Sequence, residues 1–448
     1  MLETMDLADG LNVMVDKHMF NPKAETMKRE EIEKLQLRRL KQTVKYVYER
    51  IPFLRERFLG MGLRPDDIRK LEDARKLPFM DKDDLRQNYP FGLSAVPLRE
   101  VVEIHASSGT TGTPTVELYT LGDIDVWGEC MARCEVMSGL TKDDVFQITP
   151  GFGMFVGGFG MYYGARKIGA TIVPTGAGFS ERQIQFAKDF GTTMLGSIVT
   201  YTFRLAEVAK KLSIDPIKDL KIRKMIVGAE QWSLETKNRI RQIWNADVYD
   251  VYGLTEMQGN GTANDCYIHD GMHNWDDHFL LEIIDPKTGD PVDPEEKGEI
   301  VMTTLTKEAL PKIRYRTRDV SFLYDTFECD CGRTHSRIGW ITARTDDMVK
   351  VSGVNIWPTM VETFLMKQDL VGMEYQIIVD RVDYKDRIRI VVESKDFVES
   401  SRKQELAKRL VSGMATIMVQ TPEVEVVDPG TLPREPGKAK RMLDLRRK

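Results

Sequence analysis

Cysteine is scarce. Five in 448 residues cannot staple so long a chain, which excludes a disulfide scaffold. Long apolar runs are also missing, and no stretch approaches the ~20 residues that a membrane span needs. Positive charge is not in excess. The 64 Lys and Arg stand against 69 Asp and Glu, for a net charge of −5 and a pI near 5.9. No extended basic stretch occurs before the last dozen residues, so nothing points to nucleic acid. The first residues, "MLETMDLADGLNVMVDKHMFNPK", are acidic and mixed, unlike a signal peptide, and the cytoplasm is the expected compartment. Internal repeats and low-complexity segments are absent. What is there is ordinary for a globular protein, 42% hydrophobic and 30% charged, with length enough for two or three domains.

Residues 25–60 carry apolar side chains at roughly helical spacing among many charges. From about 100 to 250, short apolar runs such as "VFQIT", "TMLGSIV", "KMIVGAE" and "DVYDVYG" alternate with helical stretches such as "TYTFRLAEVAKKL". That alternation predicts βαβ units and a largely parallel sheet covered by helices. Between 278 and 325 the texture is more purely β, with "PKTGDP" as a hairpin turn. Past the polar "RTDD", residues 344–347, the chain reads as strand, helix and strand, enough for a small α+β domain. The expected organisation is therefore α/β: a large unit over 1–343, a hinge at 344–347 and a small unit over 348–448.

Four stretches carry possible chemistry. "SSGTTGTPT", residues 107–115, has the glycines and hydroxyls of a phosphate-binding loop but lacks the Gly-Lys-Ser/Thr ending of the P-loop; it could equally be a flexible turn. "YGLTE", 252–256, ends an apolar run, where ligands of α/β sheets bind; the plain alternative is a strand end with Thr255 capping a helix. "YRTRD", 315–319, offers a carboxylate for ribose hydroxyls or an ordinary surface ion pair. "GKAKR", 437–441, is a solvated basic tail or a delivered catalytic lysine. Separately, Cys329-Asp-Cys331 follows Cys266 by 63 positions, and His273 lies seven after Cys266. A tetrahedral zinc site and simple buried packing both fit that spacing, with His269 and His335 as competing histidines. Cys130 and Cys134 are four apart on a stretch that reads as helix and are expected in the core.

The order and separation of these stretches, with "GFGMFVGGFGMYYGA", "TTLTKEALPKIRYRTRD", "CGRTHSRIGWITARTDDMVKVSGVNIWPTMVE" and "PGKAKR", resemble the adenylate-forming superfamily of acyl-CoA synthetases, adenylation domains and luciferase. Within it the chain is similar to the phenylacetate-CoA ligases, from about residue 30 to its end.

The resemblance implies a large N-terminal domain of sheets flanked by helices and a small mobile α+β C-terminal domain. It implies ATP, Mg²⁺ and coenzyme A as cofactors and co-substrates, an aryl or arylacetic acid as substrate and an acyl-adenylate intermediate; relatives often pair as homodimers, while the sequence itself is silent on oligomeric state. Ser107, Ser108, Gly109, Thr110, Thr111 and Gly112 would wrap the β- and γ-phosphates. Thr255 would touch the α-phosphate and Glu256 would bind magnesium. Tyr252, Gly253, Gly228, Ala229 and Glu230 would surround adenine. Asp319 would hold the ribose, with Arg344 nearby and Asp346 as the hinge. Lys438 would be the adenylation lysine, with Lys440 as fallback. Phe152, Phe155 and Gly158 would line the acid pocket, and Ser352, Gly353 and Val354 the coenzyme A tunnel. Relatives carry Cys, His, Cys and Cys at positions matching Cys266, His273, Cys329 and Cys331, and some bind structural zinc there. Adenylation for a carrier-protein thiol, release of the adenylate itself, and a non-catalytic nucleotide-binding regulator are the alternatives.

Overall fold

The computed structural model describes residues 18–107, 113–351, 354–382, 385–418, 421–434 and 441–446. The first long helix, Arg29–Arg50, buries Ile32, Gln36, Leu40, Val44 and Val47, the stripe that helical spacing dictates. It stops at Ile51, in extended conformation, because the next residue is Pro52; a second helix, Pro52–Gly60, starts there.

The central sheet has eight strands. In spatial order they are Arg337–Ile338, Met272–Asn274, Gly259–Asp265, Asp247–Leu254, Lys224–Gly228, Met194–Ile198, Val145–Ile148 and Thr171–Val173. The last five run parallel and are joined through the helices Val156–Ile168, Ser180–Asp189, Val199–Lys211 and Leu234–Trp244. The apolar runs of Met194–Ile198 and Lys224–Gly228 are buried, as expected for strands covered by helices on both faces. The three on the other side of Asp247–Leu254 pair antiparallel. A second, antiparallel sheet orders Phe279–Ile284, Gly298–Thr304, Tyr315–Ser321 and Ala343–Arg344. The "PKTGDP" stretch turns by Asp285–Asp290 and Asp285–Gly289 backbone bonds, inside a longer connection between two of these strands. A two-stranded ladder joins Glu103–Ala106 to Val116–Tyr119.

Beyond Arg344, a hairpin of Val349–Val351 and Val354–Ile356 leads to the helix Pro358–Met366. A four-stranded sheet follows, in the order Glu423–Val427, Lys385–Ser394, Val371–Val382 and Met442–Asp444, with the helix Ser400–Met418 against it. These residues share their own apolar core, including Val361, Ile377, Ile390, Leu410 and Met414.

Candidate functional site

The strands Lys224–Gly228, Asp247–Leu254 and Val145–Ile148 all end on one side of the central sheet, the side where α/β sheets hold ligands. Gly228 is fixed by space: a Cβ there would lie 2.2 Å from the carbonyl oxygen of Val251. Ala229 then takes φ +71°, turning the chain out of the sheet. Glu230, expected beside adenine, also serves the fold. Its carboxylate accepts the Thr200 N–H at 2.7 Å and the Thr200 hydroxyl at 3.0 Å, capping the helix Val199–Lys211. Gly253 is likewise forced, since a Cβ would meet the Gly259 carbonyl at 2.4 Å.

After Leu254 the chain makes a tight turn and returns as Gly259–Asp265; Thr255 therefore caps no helix. The turn buries Glu256. Its Oε1 accepts the Thr115 hydroxyl at 3.0 Å, and Thr115 Oγ1 in turn lies 2.6 Å from Ser107 Oγ. Since Thr115 donates to the carboxylate, Ser107 donates to Thr115. Ser107 and Thr115 thus bring the two ends of the hydroxyl loop to Glu256. Lys82 Nζ lies 3.4 Å from the same oxygen. Nothing in the sequence signalled Lys82, which opens the helix Lys82–Gln87 far upstream.

A second group forms around Asp319, on the strand Tyr315–Ser321. Its Oδ2 accepts the Tyr252 hydroxyl at 2.7 Å, and its Oδ1 accepts Arg344 at 2.7 Å, its cross-strand partner. Burial, and then the Asp319 charge, push the Tyr252 hydroxyl well above its ordinary pKa. It stays a neutral donor. Arg344 also donates to Asp346 at 3.0 and 3.1 Å. The ribose carboxylate expected from sequence and the expected hinge are therefore bridged by one guanidinium.

The Gly/Phe stretch is part loop and part helix. Val156–Ile168 is helical, and Gly158 is fixed there because a Cβ would sit 2.8 Å from the carbonyls of Pro150 and Gly151. Phe152 packs edge-on against Phe159, centroids 5.4 Å apart, and Phe155 is 51% exposed at the helix start. The Ala106 N–H donates to the Met154 carbonyl at 2.9 Å, so this loop lies directly beside the entry to the hydroxyl loop.

Behind Thr115 lies a polar interior that sequence reading missed. Lys312 Nζ donates to Glu117 at 2.7 Å, and Lys307 Nζ stands 3.4 Å from the same carboxyl and 4.0 Å from Asp123. All four side chains are buried. Burial pushes the Glu117 carboxyl up to about 7 despite the two lysines. The faint signal was two lysines set among the apolar residues of "LTKEALPKI".

The cysteines converge as the spacing allowed. Ligand atoms of Cys266, His273, Cys329 and Cys331 all lie within 4.8 Å of one another. Cys266 and Cys329 sulfurs are 3.8 Å apart, and Cys331 Sγ is 3.3 Å from His273 Nε2. Zn–S bonds of about 2.3 Å at tetrahedral angles give S···S edges of ~3.8 Å, so the donor set fits zinc. Burial holds His273 below its usual pKa, as the neutral imidazole a metal needs. His335 is committed elsewhere, accepting from Asp276 N–H and bonding the Ala24 carbonyl. His269 sits between Asp247 and Asp265. Cys130 and Cys134 are buried in the core.

Ser108, Gly109, Thr110, Thr111, Gly112, Ser352, Gly353, Lys438 and Lys440 lie outside the described residues. Val354 is half-buried, paired with Val351 in the hairpin.

Residues 12–305 match the family model for AMP-binding enzymes, and residues 353–446 match the model for the AMP-binding enzyme C-terminal domain. The chain belongs to the AMP-binding enzyme family. Among characterised AMP-binding enzymes, it is 40% identical to the phenylacetate-coenzyme A ligase of Thermus thermophilus over 447 residues, covering 96% of this chain and all of that one. It is 38% identical to the phenylacetate-coenzyme A ligase of Escherichia coli over 426 residues, 94% of this chain and 97% of that one. Its fold matches a crystal structure of 2-hydroxyisobutyryl-CoA ligase in the postadenylation state with TM-score 0.90 and 26% identity, over 98% of this chain and 95% of that one. Against the same ligase in its thioesterification state the score is 0.71, at 27% identity and coverage of 99% and 95%. Among the described residues no helix is long and apolar enough to cross a membrane.

Proposed function

We propose that this AMP-binding enzyme is an ATP-dependent acid–coenzyme A ligase for an aryl or arylacetic acid. The acid's carboxylate oxygen attacks the α-phosphorus of ATP and pyrophosphate leaves. The thiol of coenzyme A then attacks the acyl carbon, loses its proton, and AMP leaves with the bonding pair. The observation that carries this is the end-to-end likeness to phenylacetate-coenzyme A ligases, at 40% identity over the whole of one of them. Phenylacetate is the leading substrate.

The site residues take roles in line with their surroundings. Asp319 holds the ribose hydroxyls, with Tyr252 and Arg344 fixing its orientation. Glu256 holds magnesium, whose chemistry when bound is to neutralise phosphate charge; the ready carboxylate and the neighbouring hydroxyls of Thr115 and Ser107 suit it. Lys82 adds a cation on the same side, poised for pyrophosphate. Gly228, Ala229, Glu230 and Gly253 wall the adenine, Thr255 meets the α-phosphate, and Phe152, Phe155 and Gly158 face the acid. Residues 348–448 move as one body about 344–347, bringing Lys438 to the α-phosphate and later Val354 toward the thiol. In support, the segment holding Lys438 is flanked by Arg434, which pairs with Glu207 at 3.4 Å, and by Arg441, which feels the charge of Glu230. Cys266, His273, Cys329 and Cys331 hold a structural zinc. The cytoplasm, where ATP and coenzyme A are made, is the fitting compartment.

Pyrophosphate release with ATP, Mg²⁺ and a panel of aryl and aliphatic acids tests the first step; no release with any acid refutes the ligase. Mass spectrometry for a thioester after adding coenzyme A separates this ligase from an enzyme that stops at the adenylate or needs a carrier protein. Lys438→Ala should cut adenylation by orders of magnitude while nucleotide still binds.

A further inference from the structure

The helix Leu234–Trp244 follows the adenine-side strand Lys224–Gly228 and begins at Ser233, whose hydroxyl accepts the Thr236 N–H at 3.2 Å. Its first turn is completed from the far end of the chain. Glu362, on the helix Pro358–Met366, points Oε1 at this turn and accepts the Ser233 N–H at 3.1 Å and the Thr236 hydroxyl at 2.5 Å. Its other oxygen accepts the Tyr375 hydroxyl at 3.3 Å. The carboxyl is buried, 8% exposed. Around it, Lys367 pairs with Glu235 at 3.1 Å, and Arg239 donates to the carbonyls of Gln368 at 2.8 Å and Val371 at 3.0 Å. A carboxylate at a helix N-terminus is favoured by the helix dipole, and a buried one is stable only while its partners stay in place.

We propose that Glu362 is a positioning residue for the first half-reaction: it latches residues 348–448 to the Ser233–Thr236 turn during adenylation and must leave that turn before the thiol can react. This presupposes the ligase activity and the rotation proposed above. The arrangement seen here matches the related ligase far better in its postadenylation state than in its thioesterification state, at nearly equal coverage. The Glu362 contacts therefore belong to the adenylation-side arrangement. Glu362 itself touches no reacting atom; it acts by holding the segment that carries Lys438.

The two half-reactions can be measured apart. Acid-dependent ATP–pyrophosphate exchange with phenylacetate reads the first. Conversion of pre-formed phenylacetyl adenylate and coenzyme A to thioester reads the second. Glu362→Ala should slow the exchange about tenfold and leave thioester formation unchanged or faster. Thr236→Val, cut from the other side of the latch, should do the same, and the double variant should be no worse than either single one. Glu362→Gln, which keeps shape and loses charge, should restore part of the exchange. Equal loss in both half-reactions, or no loss in either, overturns the latch. Asp346→Pro separates this from the rotation: if it leaves thioester formation untouched, the rotation fails and the latch with it. A wild-type protein inactive in both assays refutes the ligase and the latch together.

Discussion

Asp319 is reached by a phenol and a guanidinium, each at 2.7 Å, in a buried setting. Hydrogen bonds to a charged group contribute about 1.5–3 kcal/mol, so Asp319→Asn should raise the KM for ATP by roughly 10–100-fold with a smaller change in kcat, measured by initial rates. Asp250 makes a different prediction. Burial, together with the Asp265 charge, raises its carboxyl to about 7, while its only bond among those described comes from Trp232 Nε1 at 3.0 Å. A carboxyl whose folded pKa is raised favours the folded state in its protonated form. That stability is present at pH 4 and is lost as pH climbs toward 7. Asp250→Asn should therefore raise the melting temperature most at pH 8, less at pH 5, and change it little below pH 4. At this scale the sequence was legible where a residue belongs to a local motif, as Glu256 and Asp319 do. Lys82, Lys307 and Lys312 were not legible, because only the folded chain brings them to Glu256 and Glu117.

The helix Val156–Ile168 shows what glycines do for an element. A Cβ on Gly160 would lie 2.0 Å from Asn260 Oδ1 and 2.7 Å from Trp127 Nε1. Gly160→Ala gains about 1 kcal/mol of helix propensity but overpacks this contact, which costs roughly 1–3 kcal/mol. A melting temperature lowered by about one to two degrees is expected from thermal denaturation. The cysteine cluster joins three other parts of the chain, the turn after Gly259–Asp265, the strand Met272–Asn274 and the segment around residue 330. Metal analysis should find about one zinc per chain. Cys329→Ser or prolonged chelation should remove it and lower the melting temperature without changing the KM for ATP in the surviving folded fraction. The parallel alternation of strand and helix was readable because each strand is an apolar run bounded by charged helices. The turn at 255–258 was misread as a possible helix start, since a threonine before a glutamate suits a cap, yet the next strand, Gly259–Asp265, is too polar in sequence to look like one. The helix Pro358–Met366, apolar around most of its face, gave no amphipathic pattern to read.

Taken as a whole, the chain places its proposed first-step lysine on a segment with its own core, connected to the rest near Asp346. Asp346→Pro should stiffen that connection and slow thioester formation at least tenfold while pyrophosphate exchange continues, as read in the two assays above. The texture break near 344 was visible in the sequence because a polar stretch separates two apolar patterns. The arrangement of the two parts was not visible, because its bonds link residues more than a hundred positions apart, such as Thr236 with Glu362.

Arg344 divides one planar guanidinium between Asp319 and Asp346. Under the proposed rotation, that cation would part from Asp346 and from Asp347, 3.8 Å away, and keep Asp319. The Asp346 side is exposed and the Asp319 side buried, so dissolved ions reach the first far more readily than the second. Adding potassium chloride should thus loosen the joint from its outer side only, quickening thiol capture before it weakens the grip on nucleotide.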